Sequence, residues 1–266
     1  MGVDRPIFLK LGGSLLTDKT AVEAVRGDVV RRLADEIAAA RVAQPGLSVL
    51  LGHGSGSFGH VAALKYGTRY GVATPIQWLG FAEVAAAAAR LNTHLREALL
   101  AAGVPAITFF PGSSADCVDG RLVGLAVAPL QRALMAGLLP VVMGDVALDR
   151  VRGGTIVSTE ELFSHLVRPL QPRTLLLAGE TEGVYDGRGR VIGRIESADF
   201  DRIRSALHGS RGADVTGGMA GKVTEMLALV NACPGLSVRI FSGLVPGNLL
   251  TLLLDPDTPL GTLITA

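Results

Sequence analysis

The chain has 266 residues, 48% of them hydrophobic but only 5% aromatic, and a formal charge of +1 at pH 7. A near-neutral chain offers no electrostatic case for binding nucleic acid or an anionic membrane, so any basic site must be local. Its length suits one large α/β domain, or two lobes sharing a sheet, around a core of Ala, Val and Leu. Cys117 and Cys233 lack metal-ligand spacing and read as reduced thiols. The first residues lack an apolar signal segment, and the most apolar tract, residues 122–146, is broken by Gln131 and Arg132. These features predict a soluble, cytoplasmic protein.

In chain order, Ile7–Leu11 is an apolar run that predicts a buried strand, followed at once by Gly12-Gly13-Ser14. Asp28 is placed to cap a helix to about residue 43, with Val29, Leu33, Ile37 and Ala40 on one face. Residues 47–51 predict a second buried strand, which leads into the glycine-rich stretch 52–60, with a helix expected to start near His60. Residues 75–102 form the longest helical tract, with Pro75 at its start and Gly103 beyond its end. A third strand is expected at 106–110, a loop and short hairpin at 111–124, a helix at 126–136 and a buried strand at Leu139–Met143. Gly144-Asp145-Val146 opens a hairpin that turns at Arg152-Gly153-Gly154, and Ser158 with Glu161 makes a capping box for a helix to about 166. The second half predicts strands at 174–178, 237–241 and 261–264, a turn at 186–190, a short helix at 199–207, and a helix capped by Thr216 that ends near 232. Alternating strands and helices argue for a mainly parallel sheet with helices on both faces. The two halves are expected to be lobes of that sheet, 1–170 and 171–266.

The chemistry is organised around Gly52-His53-Gly54-Ser55-Gly56-Ser57-Phe58-Gly59-His60. Four glycines let the backbone approach a ligand and aim N–H groups at it, as a phosphate requires. The helix that follows adds its positive end, and His60 adds a titratable donor. Gly54, Gly56 and Gly59 also spell G-x-G-x-x-G, but a dinucleotide site needs a further strand ending in an acid about 20 residues on. Here the nearest acid, Glu83, lies inside the long helical tract. The stretch therefore reads as an anion cradle closed by a histidine.

Two further glycine turns carry lysines. Lys10 stands at a strand's end beside Gly12 and Gly13, with Lys19 beyond, where α/β sheets bind ligands. Residues 214–222, Asp-Val-Thr-Gly-Gly-Met-Ala-Gly-Lys, resemble a phosphate-binding Walker A loop but depart from it at Thr216 and Val223. Lys222 then falls in the first turns of a helix, a placement suited to nucleotide phosphates. Asp145 follows a buried strand, and Glu160, in a first helical turn, is placed to pair with lysines. Several lysines and glycine amides together suit phosphoryl transfer, which depends on positioning and charge neutralisation.

These motifs, in this order, resemble the amino acid kinase superfamily. The Phe58-Gly59-His60 ending, Thr17-Asp18-Lys19 and the 214–219 stretch resemble isopentenyl phosphate kinases in particular, and the likeness runs from Lys10 to Gly261-Thr262. The resemblance implies a three-layer αβα sandwich, an N-terminal lobe for the phosphate acceptor, a C-terminal lobe for ATP with Mg2+, and a homodimer. It implies that Lys10 and Lys222 bracket the transferred phosphoryl group and that Lys19 adds charge in the transition state. Gly12, Gly13 and Gly56 would donate amides near the β- and γ-phosphates. Gly54, Ser55, Gly59, His60, Asp145 and Gly154 would hold the acceptor, isopentenyl phosphate, while Gly179, Gly183, Tyr185 and Gly218 would lie along the nucleotide. No protein metal ligand is assigned. Glu160 stands where relatives often carry Asp, and Gly179-Glu180-Thr181-Glu182-Gly183 replaces a more Asp-rich turn.

A monophosphate acceptor agrees with the absence of an obvious general base. Its second pKa is about 6, so its attacking oxygen is already anionic near neutral pH. This disfavours alcohols more than carboxylates as acceptors. Ala63, Tyr66, Tyr70, Val72, Ile76 and Phe81 could form an apolar pocket for the isoprenoid tail. The alternatives are a kinase of the same fold for another small acid or phosphonate (a fosfomycin-type antibiotic, acetylglutamate or UMP) and a non-catalytic binding module.

Overall fold

The computed structural model describes residues 5–18, 20–199 and 218–266, with all their side chains except those of His60 and Asp199. The first half opens with strand β1 (Ile7–Leu11), the short helix α1 (Gly13–Leu16), a small hairpin of β2 (Thr17–Asp18) and β3 (Ala24–Val25), and helix α2 (Gly27–Ala43). Strand β4 (Val49–His53), helices α3 (Gly56–Tyr66) and α4 (Pro75–Ala101) and strand β5 (Ala106–Thr108) follow. Next come β6 (Asp116–Val118), β7 (Arg121–Gly124), helix α5 (Val127–Met135), β8 (Leu139–Met143), β9 (Asp145–Asp149), β10 (Gly153–Val157) and helix α6 (Thr159–Leu170). The chain continues with β11 (Thr174–Gly179), β12 (Arg194–Glu196), helix α7 (Gly218–Ala232), β13 (Ser237–Ser242), helix α8 (Asn248–Leu254) and β14 (Thr262–Thr265).

Among the described residues eight strands form the central sheet in the order β12-β14-β13-β11-β1-β4-β8-β5. All neighbours are parallel except β13 and β14, so β14 and its parallel partner β12 run against the rest. β10-β9-β6-β7 form a separate four-stranded sheet.

Side chains alternate across a strand, and β1 shows what that does here. Ile7, Leu9 and Leu11 enter a core built with Leu33 and Ile37 of α2, Leu91 and Leu95 of α4, and Leu249 and Leu252 of α8. Phe8 enters the opposite core with Leu130 of α5, Leu162 and Phe163 of α6, and Val223 and Met226 of α7. The result is three layers, with α2, α4 and α8 on one face and α5, α6 and α7 on the other. Lys10 shares the face of Phe8, so the period of two delivers its ammonium to the side covered by α6.

The capping boxes are present at both helices where the sequence has the residues for them, Thr74 with Gln77 and Ser158 with Glu161. Asp28 does not cap α2; the helix starts at Gly27, and Asp28 lies in its first turn, where it still favours the helix dipole. α3 begins at Gly56 rather than near His60, because the glycine stretch is itself the first turn. α6 continues through Pro169 to Leu170, since a proline there removes one N–H and the helix ends with the next residue. The helix expected at 199–207 and the Thr216 cap lie outside the described residues. Among the described residues no helix is long and apolar enough to cross a membrane. Both cysteines are free, and burial with nearby Asp149 pushes the Cys117 thiol up to about 11.

Candidate active site

The C-terminal ends of β1 and β4 lie side by side, with Lys10 in register with Gly52 and Leu11 with His53. The two glycine turns that follow these strands therefore meet. A Cβ on Gly13 would lie 2.6 Å from the Gly56 Cα, and one on Gly54 would lie 3.0 Å from the Gly13 amide nitrogen. Gly56 also has φ of +51°. Only glycine permits this backbone-to-backbone approach. Thr17 locks it: its buried hydroxyl donates to the Gly13 carbonyl (2.8 Å) and accepts from the Ser57 N–H (3.0 Å).

Lys10 reaches across to Glu160 in the first turn of α6 and forms an ion pair and hydrogen bond with it. Burial alone would raise the Glu160 carboxyl, but the Lys10 charge and hydrogen bond, with the Lys222 charge, hold it below the ordinary carboxylate range. The structure thus couples Lys10, Glu160 and Lys222, which the sequence spreads over more than two hundred positions. Lys222 lies on α7 one turn beyond Gly218, the helix's first residue. Glu225, on the following turn, is pushed up by burial and by the charges of Glu160 and Glu161.

Gly54 begins the cradle, its N–H donating to the Leu11 carbonyl (3.1 Å). Ser55 precedes α3, and its carbonyl accepts the N–H groups of Phe58 and Gly59 at 3.1 and 3.3 Å. His60 lies in α3, but its side chain and the whole of Lys19 fall outside the described residues. Asp145, expected among the acceptor contacts, has its carboxylate occupied by the N–H groups of Gly112 (3.1 Å) and Val146 (2.8 Å). Burial pushes its carboxyl up, against those two bonds. It serves the turn at the head of β9.

Gly154 stands in β10 against the apolar tract: a Cβ there would lie 2.8 Å from the Phe81 ring and 3.0 Å from Val72. Trp78 packs edge-on against Phe81 with ring centroids 5.4 Å apart. Phe81 and Val72 are thus the tract members the structure places beside an expected acceptor contact. Tyr70 is 84% exposed and Ile76 58%, so neither encloses a pocket.

On the other side of β1, the Gly12 N–H donates to the Ala178 carbonyl (2.8 Å), which places Gly179 against the first glycine turn. Glu180 pairs with Arg26 at 3.0 Å. Gly183 packs instead on Thr262 of β14, whose hydroxyl accepts the Val184 N–H at 2.8 Å, and the Tyr185 hydroxyl accepts the Glu182 N–H at 3.4 Å. Gly183 is therefore set against β14, and Tyr185 bridges to Val191.

This layout has known counterparts. Residues 5–242 match the profile of the amino acid kinase family. The chain belongs to the amino acid kinase family. It is 33% identical to the isopentenyl phosphate kinase of Methanothermobacter thermautotrophicus, over 97% of this chain and 98% of that protein. It is 30% identical to the isopentenyl phosphate kinase of Methanocaldococcus jannaschii, over 93% of this chain and 94% of the relative. A solved structure of isopentenyl phosphate kinase superposes with a TM-score of 0.82 at 32% identity, over 97% of this chain and 99% of that one.

Several residues that shape the site in this amino acid kinase escape a reading of its sequence. Thr17 is one, since nothing local announces that it will join two turns. Thr159 is another: its hydroxyl donates to the His53 carbonyl (2.7 Å), which also accepts the Gly144 N–H (3.1 Å). That single carbonyl ties the cradle to the Asp145 turn and to the helix carrying Glu160. Ser57 was visible as a hydroxyl within the glycine stretch. It is only 8% exposed, and its Oγ has no hydrogen-bond partner among the described residues.

Proposed function

We propose that the chain is an isopentenyl phosphate kinase, transferring the γ-phosphoryl group of ATP to isopentenyl phosphate to give isopentenyl diphosphate and ADP. The observation that carries the proposal is the meeting of the Gly12–Gly13 and Gly54–Gly56 turns beside the Lys10–Glu160 pair. Near-full-length similarity to isopentenyl phosphate kinases supports the choice of acceptor.

In this reading the N-terminal lobe, residues 1–170, holds the acceptor on the 54–60 turn, with His60 on its phosphate and Gly154 near its other end. Residues 171–266 hold the nucleotide along Gly179 and Gly218, with Gly183 and Tyr185 further out. Two anions must approach one another, so the residues' work is to relieve repulsion: Lys10, Lys222 and Lys19 supply positive charge, and Gly12, Gly13 and Gly56 supply amides. Glu160 holds the Lys10 ammonium in place. The acceptor oxygen is already ionised near neutral pH, so no side chain is assigned as general base.

Mg2+ is held well by nucleotide phosphates, water and few carboxylates, and when bound with ATP it neutralises phosphate charge. The carboxylates described nearest the turns fit that arrangement, Glu160 being committed to Lys10 and Asp145 to backbone amides. The family resemblance also implies a homodimer, which sedimentation would read. The assignment is tested by kcat/KM for isopentenyl phosphate against fosfomycin, acetylglutamate and UMP, with ADP release as the readout. It requires isopentenyl phosphate to be the best of the four by a wide margin.

A further inference from the structure

A chain of buried polar groups runs beneath the cradle. His53, the last residue of β4, has no exposed surface, and both ring nitrogens are engaged. Its Nδ1 lies 3.1 Å from the Gly54 carbonyl oxygen, and its Nε2 lies 3.3 Å from the Asn92 Oδ1. Asn92, 1% exposed on α4, donates in turn from Nδ2 to the Thr108 hydroxyl oxygen at the end of β5 (2.9 Å). Three polar side chains from three elements thus converge on one backbone carbonyl.

The chemistry of these groups fixes their protons. A carbonyl oxygen only accepts, so Nδ1 carries the hydrogen. Burial depresses the His53 pKa, opposed by its bonds to Gly54 and Asn92, and favours the neutral ring. A neutral ring protonated at Nδ1 needs a donor at Nε2. The Asn92 amide supplies it once its oxygen and nitrogen exchange places, so that its NH2 faces His53 and its oxygen accepts from the Thr108 hydroxyl, an exchange that satisfies every atom in the chain.

The peptide that this chain grips is the first of the cradle. In a planar trans peptide the C=O and the following N–H point to opposite sides, and no peptide among the described residues is cis. With the Gly54 carbonyl held inward by His53, the Ser55 N–H is turned outward. The Gly54 N–H is fixed as well, on the Leu11 carbonyl. We propose that His53, held by Asn92 and Thr108, is a positioning residue that presets the Ser55 N–H as a donor to the acceptor's phosphate. The proposal rests on the reading of the cradle as the acceptor site. It gives His53 no contact with substrate and no proton to transfer.

Steady-state kinetics of the full chain test it. His53→Leu should raise the KM for isopentenyl phosphate about 10- to 50-fold, the scale for one hydrogen bond to a charged group, with the KM for ATP within about twofold. His53→Asn, whose amide nitrogen can occupy the place of Nδ1, should recover most of the loss. Asn92→Ala frees the ring's tautomer without touching β4 and should raise the acceptor KM alone by several-fold; it serves if His53→Leu does not fold. In 15N-labelled wild-type protein, His53 should show the Nδ1–H tautomer at pH 7. An unchanged acceptor KM in a folded variant, equal changes in both KM values, or the opposite tautomer overturns the proposal. If the wild-type enzyme prefers acetylglutamate, UMP or fosfomycin, the acceptor assignment fails, and the same KM split is read with that compound.

Discussion

Lys10 of β1 and Glu160 of α6, 150 residues apart, form an ion pair with only 11% and 17% of their side chains exposed. Removing one member of such a pair leaves the other as an uncompensated buried charge, which costs about 3–5 kcal/mol. Glu160→Gln should therefore destabilise the protein by an amount near the lower end of that range, since its amide still bonds to Lys10. The Glu160 carboxyl is held below its ordinary value of 4.5, so its contribution to stability is complete above pH 4.5 and is lost as pH falls through the lower, folded-state value. Chemical denaturation between pH 3 and 7 should show a flatter acid limb for Glu160→Gln than for wild type. Parallel limbs would mean that the pair does not set the titration.

In the proposed reading Lys222 acts where charge builds on the transferred group. Lys222→Ala should lower kcat by about two to three orders of magnitude, the scale for one preorganised charge donor, with smaller effects on either KM. A variant with near-normal turnover would place Lys222 outside the chemistry.

Phe81 and Tyr70 separate pocket from surface. Phe81 lies against Gly154, whereas Tyr70 is 84% exposed. Phe81→Ala should raise kcat/KM for geranyl phosphate relative to isopentenyl phosphate by about tenfold, the scale of discrimination by apolar volume. Tyr70→Ala should leave the ratio unchanged. Equal effects of the two substitutions would put the tail elsewhere.

The sheet was legible in the sequence because its inner strands are short apolar runs, and β8 in particular appears with the predicted bounds. Helix starts were less so. α3 hides in a glycine stretch whose helix propensity is poor, and α8 is a seven-residue run, Asn248–Leu254, whose leucines fit strand and helix equally well. The lysines and glycines of the site stood out by type and spacing. Thr17, Thr159 and the His53–Asn92–Thr108 chain did not, because their partners come from other elements and depend on the sheet order. Asp145 stood out by its place at a strand end, but the N–H groups its carboxylate accepts, from Gly112 and Val146, were not legible there. Tyr70 was offered by its place after the cradle, and its exposure was not legible because it depends on what packs over the turn that carries it.

In the proposed reading His60 closes the cradle on the acceptor side. Beside a phosphate dianion its imidazolium is favoured, and a charge-assisted hydrogen bond contributes about 1.5–3 kcal/mol. His60→Ala should raise the KM for isopentenyl phosphate about 10- to 150-fold with that for ATP almost unchanged, and His60→Gln should recover part of the loss. A rise confined to the ATP constant would assign the cradle to the nucleotide.

In the proposed reaction a phosphate oxygen of isopentenyl phosphate attacks the γ-phosphorus of ATP, and 31P NMR of the reaction mixture reads that bond directly. With purified protein, Mg-ATP and isopentenyl phosphate, the monophosphate singlet should give way to the two coupled doublets of isopentenyl diphosphate as ADP appears in equal amount. A singlet that persists while the same protein phosphorylates fosfomycin, acetylglutamate or UMP, or while no ATP is consumed, would contradict it.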